Sequence, residues 1–196
     1  MIKLKKVNQR AKEEEAKKEE EDPNQEGEKK QKKPPGELRL MKEVNELDLP
    51  AHAKVLFNES GSIMSFNVDI NLKNEDCLWK GGKYLFSMEI SPNYPHDAPK
   101  VKCQTQIYHP NIDLMGNVCL NILRDDWKPV LGINAVILGL IFLFIEPNPN
   151  DPLNHEAAQI MRDNPAKFKQ NVRKSLQGGN FEGHNYEKFV WARATP

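Results

Sequence analysis

Residues 64–72 read MSFNVDINL, and this stretch decides the fold class because apolar and polar residues alternate along it. A period of two places the apolar side chains on one face of a β-strand and the polar ones on the other. The apolar residues of 84–90, YLFSMEI, repeat at every second position in the same way, and Gly81-Gly82 supply a turn between the two runs. We therefore expect a sheet with one buried face and one wet face.

Weaker signals flank these two strands. Residues 53–57, and Val101 with Cys103, predict a first and a fourth strand. The short connections between successive strands favour an antiparallel meander. A helix is expected before the sheet, because one helical stripe is formed by Leu40, Met41, Val44 and Leu47. Leu49-Pro50 is expected to end it.

Helices follow the sheet after a long irregular segment at 105–132. Ile133–Ile145 is nearly apolar all round, which predicts a central, covered helix. A short helix is predicted at 151–161 with Pro152 in its first turn, and Asn164-Pro165 opens a last helix that Gly178-Gly179 stop. The fold class is therefore α+β: one helix, a four-stranded antiparallel meander, a long loop and C-terminal helices.

Composition excludes several function classes. The chain has 28 basic and 28 acidic residues, so no large basic face argues for nucleic acid. Residues 1–36 are charged and almost without apolar side chains, which predicts a disordered tail before a core at 37–190. The start has no apolar segment typical of a secretory signal, and the longest apolar run is too short to span a bilayer. We expect a protein of the cytoplasm and nucleus with reduced thiols.

Three cysteines lie far apart without a CxxC pair, so neither a disulfide framework nor a metal site is expected. Cys103 points inward on a strand and is predicted to belong to the core, whereas Cys77 is predicted to be half-exposed. Cys119 follows the Gly116-Asn117 turn on irregular backbone, which is an unusual place for a buried packing cysteine. On the residues alone, Cys119 is either a catalytic thiol or a structural free thiol.

The surroundings of Cys119 narrow its chemistry. The carboxamide of Asn111 is a candidate donor to an oxyanion, a contribution of about 3–4 kcal/mol where it occurs. His109 precedes a proline in a turn and favours a structural hydrogen-bonding role over that of a base. Without a base, the Cys119 pKa is expected to stay at about 8.5. A thiol with this pKa is suited to attack on an activated thioester and not on a peptide. No phosphate loop is present, so any ATP-driven activation belongs to another protein and no cofactor is expected.

Five segments together resemble the ubiquitin-conjugating enzymes, in the order and at the spacing of that family, over residues 37–176. The resemblance implies the ubiquitin-conjugating (UBC) fold, a thioester between Cys119 and the C-terminal glycine of a modifier, and transfer of that modifier to a lysine. A non-catalytic module on this fold would lack the cysteine, and a cysteine hydrolase would need a base. The segments are Ser91-Pro92-Asn93-Tyr94-Pro95 with Pro99, His109-Pro110-Asn111, Gly116-Asn117-Val118-Cys119-Leu120, Trp127-Lys128-Pro129 and 147–153, PNPNDPL.

Within the family, the sequence is similar to the neddylation branch, which carries the Nedd/Rub ubiquitin-like modifier. Residues 119–131, CLNILRDDWKPVL, place Asn121 where ubiquitin carriers commonly have aspartate, and the start Met1-Ile2-Lys3-Leu4 also matches. Ala98 departs from a usual proline, and Lys5 stands where some members have an aromatic residue. The alternative is a carrier of ubiquitin itself.

The resemblance also implies roles for individual residues. Asn111 either steadies the oxyanion or braces the loop. Asp151 either orients the substrate lysine or is a carboxylate favoured at a helix N-terminus. A docking peptide at 1–7, through Met1, Ile2 and Leu4, would bind the activating enzyme.

The implied partners are a heterodimeric activating enzyme, the Nedd/Rub modifier, an Rbx-type RING ligase with a cullin, and a Dcn-type co-ligase that binds acetylated Met1. ATP would be used by the activating enzyme. The ligase would face two loops, through His96 in the first and Pro129 and Val130 in the second.

Overall fold

The computed structural model describes residues 33–58 and 62–188. The predicted docking peptide at 1–7 and all but the last four residues of the predicted tail at 1–36 lie outside the described residues. The end of the chain at 189–196 lies outside them as well.

The sheet is the predicted four-stranded antiparallel meander. Its strands follow one another in the order β1, β2, β3 and β4. The register opposes Val68 to Phe86 and Ile70 to Tyr84, so the apolar faces of the two central strands lie on the same side. The strand bounds are Ala53–Phe57 (β1), Ser65–Asn71 (β2), Lys83–Glu89 (β3) and Lys100–Cys103 (β4).

The apolar helix spans Ile133–Ile145 as predicted and is the second helix, α2. Its Phe144 ring stacks on Tyr84 with 5.0 Å between ring centroids, so the helix packs on the apolar face of the sheet. The prediction that it is covered all round is wrong, because Leu138, Phe142 and Ile145 are 43%, 52% and 61% exposed. The helix is nearly apolar on both faces, whereas the sheet covers only one of them.

The first helix, α1, spans Pro35–Asn45 and buries Leu40 and Val44. It begins at Pro35, because a proline in the first turn loses no hydrogen bond. It ends at Asn45, before the predicted Leu49-Pro50. The N–H of Glu46 donates to the carbonyls of Lys42 and Glu43 and closes the last turn.

Two helices and a hairpin follow α2. The third helix, α3, spans His155–Asp163 and starts four residues later than predicted, because Asn154 caps it by accepting a 3.0 Å hydrogen bond from the N–H of Ala157. The last helix, α4, spans Pro165–Gln177 behind the predicted Asn164 cap. The hairpin of β5 (Gly179–Phe181) and β6 (His184–Tyr186) was not predicted, because strands of three residues show no alternation.

Candidate active site

A tight turn brings the two halves of the long loop together. Asp113 Oδ1 accepts hydrogen bonds from the N–H groups of Met115 and Asn117, each at 2.8 Å. Gly116 has a φ of +81°, and a Cβ atom there would lie 2.0 Å from the carbonyl oxygen of Cys103. Only glycine therefore allows this turn to lie against β4. The N–H of Cys119 then donates to the carbonyl of Asn111 at 2.8 Å, which makes these two residues neighbours.

His109 is fully buried and has the structural role that the sequence favours. Its Nδ1 accepts a hydrogen bond from the N–H of Asn111 at 2.9 Å, and its Nε2 lies 3.0 Å from the carbonyl oxygen of Leu143. The ring also stacks on Trp79, with 4.4 Å between centroids. Burial lowers the His109 pKa to about 3, partly offset by the bond to Leu143. Both ring nitrogens are engaged and the ring is neutral, so it is not a base for Cys119.

The carboxamide of Asn111 is also buried, and its hydrogen bonds go to backbone. Nδ2 donates to the carbonyl of Asn148 at 2.7 Å and to that of Asp151 at 3.1 Å. Oδ1 accepts from the N–H of Asn148 at 2.8 Å. The amide therefore ties the loop before Cys119 to the segment 148–151. This geometry favours loop support over the oxyanion role, and both roles stay predictions.

Two charged side chains meet at the thiol of Cys119. The Sγ–H donates to Oδ2 of Asp151 at 3.1 Å, and Nη2 of Arg124 donates to Sγ at 2.9 Å. Arg124 and Asp151 also form an ion pair with each other. The fold thus brings Asp151 from 32 residues away to the predicted nucleophile. It adds Arg124, which sequence reasoning missed because no local pattern shows where a long, flexible side chain points.

Two properties of the thiol differ from expectation. Cys119 is 5% exposed, so the prediction from its irregular backbone that it is unburied is wrong. Its pKa is raised to about 11 and does not stay near the ordinary value. Burial is the largest cause, the hydrogen bond to the Asp151 carboxylate adds to it, and the charge of Arg124 opposes it. The thiol is therefore protonated at neutral pH.

Asp151 does not belong to a helix. It lies before the Asn154 cap of α3, so the reading as a carboxylate in the first turn of a helix is not supported by the observed bounds. Its pKa is lowered, first by the hydrogen bond from Cys119 and then by that from Arg124. Arg162 of α3 donates to the carbonyl of Pro149 and so holds the same segment in place.

The two predicted ligase-facing loops lie side by side. Nε1 of Trp127 donates to the carbonyl of Pro95 at 2.9 Å and so links them. Their tips are open to solvent: His96 and Pro129 are exposed, and Val130 is 80% exposed. Glu43 of α1 accepts hydrogen bonds from the Tyr94 hydroxyl and, at 3.0 Å, from the N–H of Ile133. Both loops are therefore fixed to the core at their bases.

The remaining sequence predictions concern cysteines, membranes and metals. Cys103 is buried at 5% exposure and Cys77 is half-buried, as predicted. Among the helices of residues 33–58 and 62–188, none is long and apolar enough to cross a bilayer. The same residues contain no group of three or more His, Cys, Asp or Glu side chains placed to hold a metal ion.

Comparison with known proteins finds relatives of this chain in both sequence and structure. Residues 39–176 match the family model described as ubiquitin-conjugating enzyme. The NEDD8-conjugating enzyme Ubc12 of Arabidopsis thaliana is 56% identical over 149 residues, 76% of this chain and 80% of that protein. UbcE2M of Drosophila melanogaster, also named a Nedd8-conjugating enzyme, is 49% identical over 143 residues, 73% and 78% of the two chains. The structure of S. cerevisiae Ubc12 superposes with a TM-score of 0.74 at 33% identity, covering 96% of this chain and 98% of that one.

Proposed function

The chain belongs to the ubiquitin-conjugating enzyme family, has the UBC fold and is a transferase that conjugates a ubiquitin-like modifier; from this premise we propose that it carries NEDD8, the Nedd/Rub modifier. The modifier is held as a thioester on Cys119 and passes to a substrate lysine. The observation that carries the proposal is the 56% identity to a protein named a NEDD8-conjugating enzyme.

The geometry at Cys119 supports a carrier over a hydrolase. Thiol hydrolases use a histidine base and a thiolate that is ionised at rest. Here the nearest histidine in sequence, His109, is buried and neutral, and the thiol pKa is near 11. Such a thiol is a poor nucleophile toward a peptide, whereas a thioester delivered by an activating enzyme is already activated. The chain itself then needs no cofactor, and ATP is used by the activating enzyme.

The transfer consists of two exchanges at one carbonyl carbon. In charging, Sγ of Cys119 bonds to the carbonyl carbon of the modifier's C-terminal glycine, and the thiol of the activating enzyme leaves. In transfer, a neutral lysine amine attacks that carbon, the C–S bond breaks, and an isopeptide bond forms. Asp151 orients the lysine, and the 3.1 Å distance between its carboxylate and the reacting sulfur supports this role. Asn111 supports both steps by holding the segment that carries Asp151.

A charging assay tests the identity of the modifier. We expect the purified chain, with the NEDD8 activating enzyme and ATP, to form an adduct with NEDD8 that a thiol reductant removes. Parallel reactions with ubiquitin and its own activating enzyme are expected to give at least about 10-fold less adduct, since partner discrimination of about 1.4 kcal/mol already gives that ratio. Adduct formation with ubiquitin and none with NEDD8 would establish the alternative carrier function instead.

Partners are proposed for two separate parts of the chain. Met1, Ile2 and Leu4 dock on the activating enzyme, and acetylated Met1 binds a Dcn-type co-ligase. His96, Pro129 and Val130 face an Rbx-type RING ligase whose cullin supplies the lysine. Support for the second part comes from the position of Val130, whose side chain is 80% exposed at the tip of a loop that hydrogen bonds of Trp127 and Glu43 hold to the core. We place these reactions in the cytoplasm and nucleus, which microscopy of a fluorescently tagged chain would check.

Two variants separate these docking surfaces. Deleting residues 1–10 is expected to slow charging, because two apolar anchors contribute roughly 2–5 kcal/mol if fully buried on a partner. The deletion should leave ligase-stimulated transfer from an already charged chain to a cullin intact when no co-ligase is present. Val130→Asp is expected to leave charging intact and to slow ligase-stimulated transfer to a cullin. Unchanged charging by the deletion variant would contradict tail docking, and unchanged cullin modification by Val130→Asp would contradict the ligase-facing assignment.

A further inference from the structure

A positively charged side chain that has no role in the mechanism so far lies beside the reacting sulfur. Transfer from a thioester places negative charge first on the carbonyl oxygen and then on the departing sulfur, so a donor near both atoms accelerates it. In this site the N–H of Cys119 is bonded to the carbonyl of Asn111. The two hydrogens of Asn111 Nδ2 point to backbone carbonyls as well. Among the described residues, the side chain that donates to Sγ is Arg124, at 2.9 Å.

We infer that Arg124 is a catalytic residue, and that its guanidinium stabilises the negative charge that develops on the carbonyl oxygen and on Sγ during transfer. The inference rests on the proposed function, since it requires Cys119 to carry the thioester. The carbonyl oxygen of a thioester is two bonds from Sγ, so a donor in contact with Sγ is also within reach of that oxygen. A guanidinium has five N–H donors, and both contacts described for Arg124 use Nη2 alone.

The backbone fixes where this guanidinium begins. Arg124 closes the 3₁₀ turn Asn121–Leu123, with its N–H donating to the carbonyl of Asn121 at 2.9 Å. That turn lies close to α2 at Gly139, where a Cβ atom would be 2.9 Å from Cδ1 of Ile122. The glycine therefore admits the turn that carries Arg124. The backbone of Arg124 is thus held in place, and its side chain reaches Sγ from this position.

Asp151 orients Arg124 before Cys119 carries the modifier. Its Oδ2 is shared between the Cys119 thiol and the guanidinium. When Cys119 is acylated it has no proton to donate, so the carboxylate keeps Arg124 and gains capacity to accept a hydrogen bond from the neutral amine of an incoming lysine. The ion pair is about half exposed on both sides, and exposed pairs of this kind contribute little to stability. Arg124 can therefore shift from Sγ toward the carbonyl oxygen at small cost.

The electron and proton balance of the step is complete with these groups. The lysine amine gives its electron pair to the carbonyl carbon, and the carbonyl π pair moves to oxygen beside Arg124. Collapse of this intermediate re-forms the carbonyl, breaks the C–S bond and leaves Sγ as a thiolate beside the same guanidinium. The proton released by the attacking nitrogen passes through water to Sγ. The products are the isopeptide and the Cys119 thiol.

Single-turnover discharge to free lysine tests Arg124 without a contribution from the thiol pKa, because charged Cys119 has no thiol. Wild-type, Arg124→Gln and Arg124→Lys chains are charged with NEDD8, ATP is removed, and the loss of thioester is followed at saturating lysine. We expect Arg124→Gln to discharge about 10- to 100-fold more slowly, less than the loss of about 10²–10³-fold for a donor in a dry site, because Arg124 is partly exposed. Arg124→Lys keeps the charge and is expected to be intermediate.

Arg173→Gln on the exposed surface of α4 is the matched control and is expected to discharge within about twofold of wild type. Discharge of Arg124→Gln at the wild-type rate would overturn the inference. If wild type forms no reductant-sensitive adduct, the proposed function fails, which is a different result. Thermal melting is measured alongside. If Arg124→Gln unfolds, Arg124→Lys and Arg124→Met are compared with wild type instead. Discharge of both variants at the wild-type rate would equally overturn the inference.

Discussion

Cys119→Ser is expected to accept the modifier and then hold it as a stable oxyester. The serine oxygen takes the place of Sγ beside Arg124 and Asp151, which lie 2.9 and 3.1 Å from the sulfur. An alkoxide is a much poorer leaving group than a thiolate, so the second exchange stalls. Transfer to a lysine should fall by at least about 10³-fold, as is typical when a nucleophile is replaced. A gel run with reductant shows the adduct, since an oxyester survives conditions that cleave a thioester.

Cys77→Ser is the matched control for this substitution. Cys77 is a half-buried free cysteine, so the same atom is exchanged at a second thiol of the chain. This variant is expected to form a reductant-sensitive adduct and to transfer the modifier within about twofold of wild type. A reductant-sensitive adduct on Cys119→Ser, or none on Cys77→Ser, would show that Cys119 is not the carrier.

Asn111→Ala is expected to destabilise the protein and to slow transfer together. The side chain is 1% exposed and its amide makes three hydrogen bonds to the backbone of Asn148 and Asp151. Removing it leaves those backbone groups without partners, at about 1–3 kcal/mol for each one that stays buried. Because water will reach part of the site, we expect a loss of about 2–4 kcal/mol, measured by urea unfolding.

The transfer rate of Asn111→Ala should fall because Asp151 and its ion pair with Arg124 lose their support. Asn148→Ala is the control: that side chain is exposed and accepts one hydrogen bond, from the N–H of Asn150 at 2.9 Å. It should cost no more than about 1 kcal/mol. If Asn111→Ala were as stable as wild type and yet transferred 10²-fold more slowly or worse, the amide would act on the oxyanion directly and not as a brace.

Much of the fold could be predicted because its signals are local. Alternation at 64–72 and 84–90 identified the two central strands, and their observed bounds differ from the prediction by one residue at each end. The apolar run identified α2 with both ends correct. The short hairpin of β5 and β6 has no such periodicity, and the start of α3 depends on a choice between possible caps.

The site was harder to predict, because its contacts join distant parts of the chain. Asn111 and Cys119 could be paired from the turn between them, since Gly116 and Asn117 announce a reversal. Asp151 was found through family resemblance, and its contact with the thiol depends on how α2 and the loop after it return across the sheet. Arg124 was missed, although it is five residues from Cys119, because sequence spacing does not determine the direction of an arginine side chain outside regular structure.

The prediction that Cys119 is the carrier thiol rests on the family resemblance. The sequence by itself determined the α+β meander, the central helix and the structural role of His109. These features follow from hydrophobic periodicity, turn chemistry and residue type, which are properties of neighbouring residues. Only the tertiary structure decided that Cys119 is buried with a raised pKa, and that the side-chain amide of Asn111 forms its hydrogen bonds with backbone groups. It also decided that Arg124 is the donor at the sulfur. Burial, pKa and hydrogen-bond partners depend on which distant groups share a volume, and packing alone determines that.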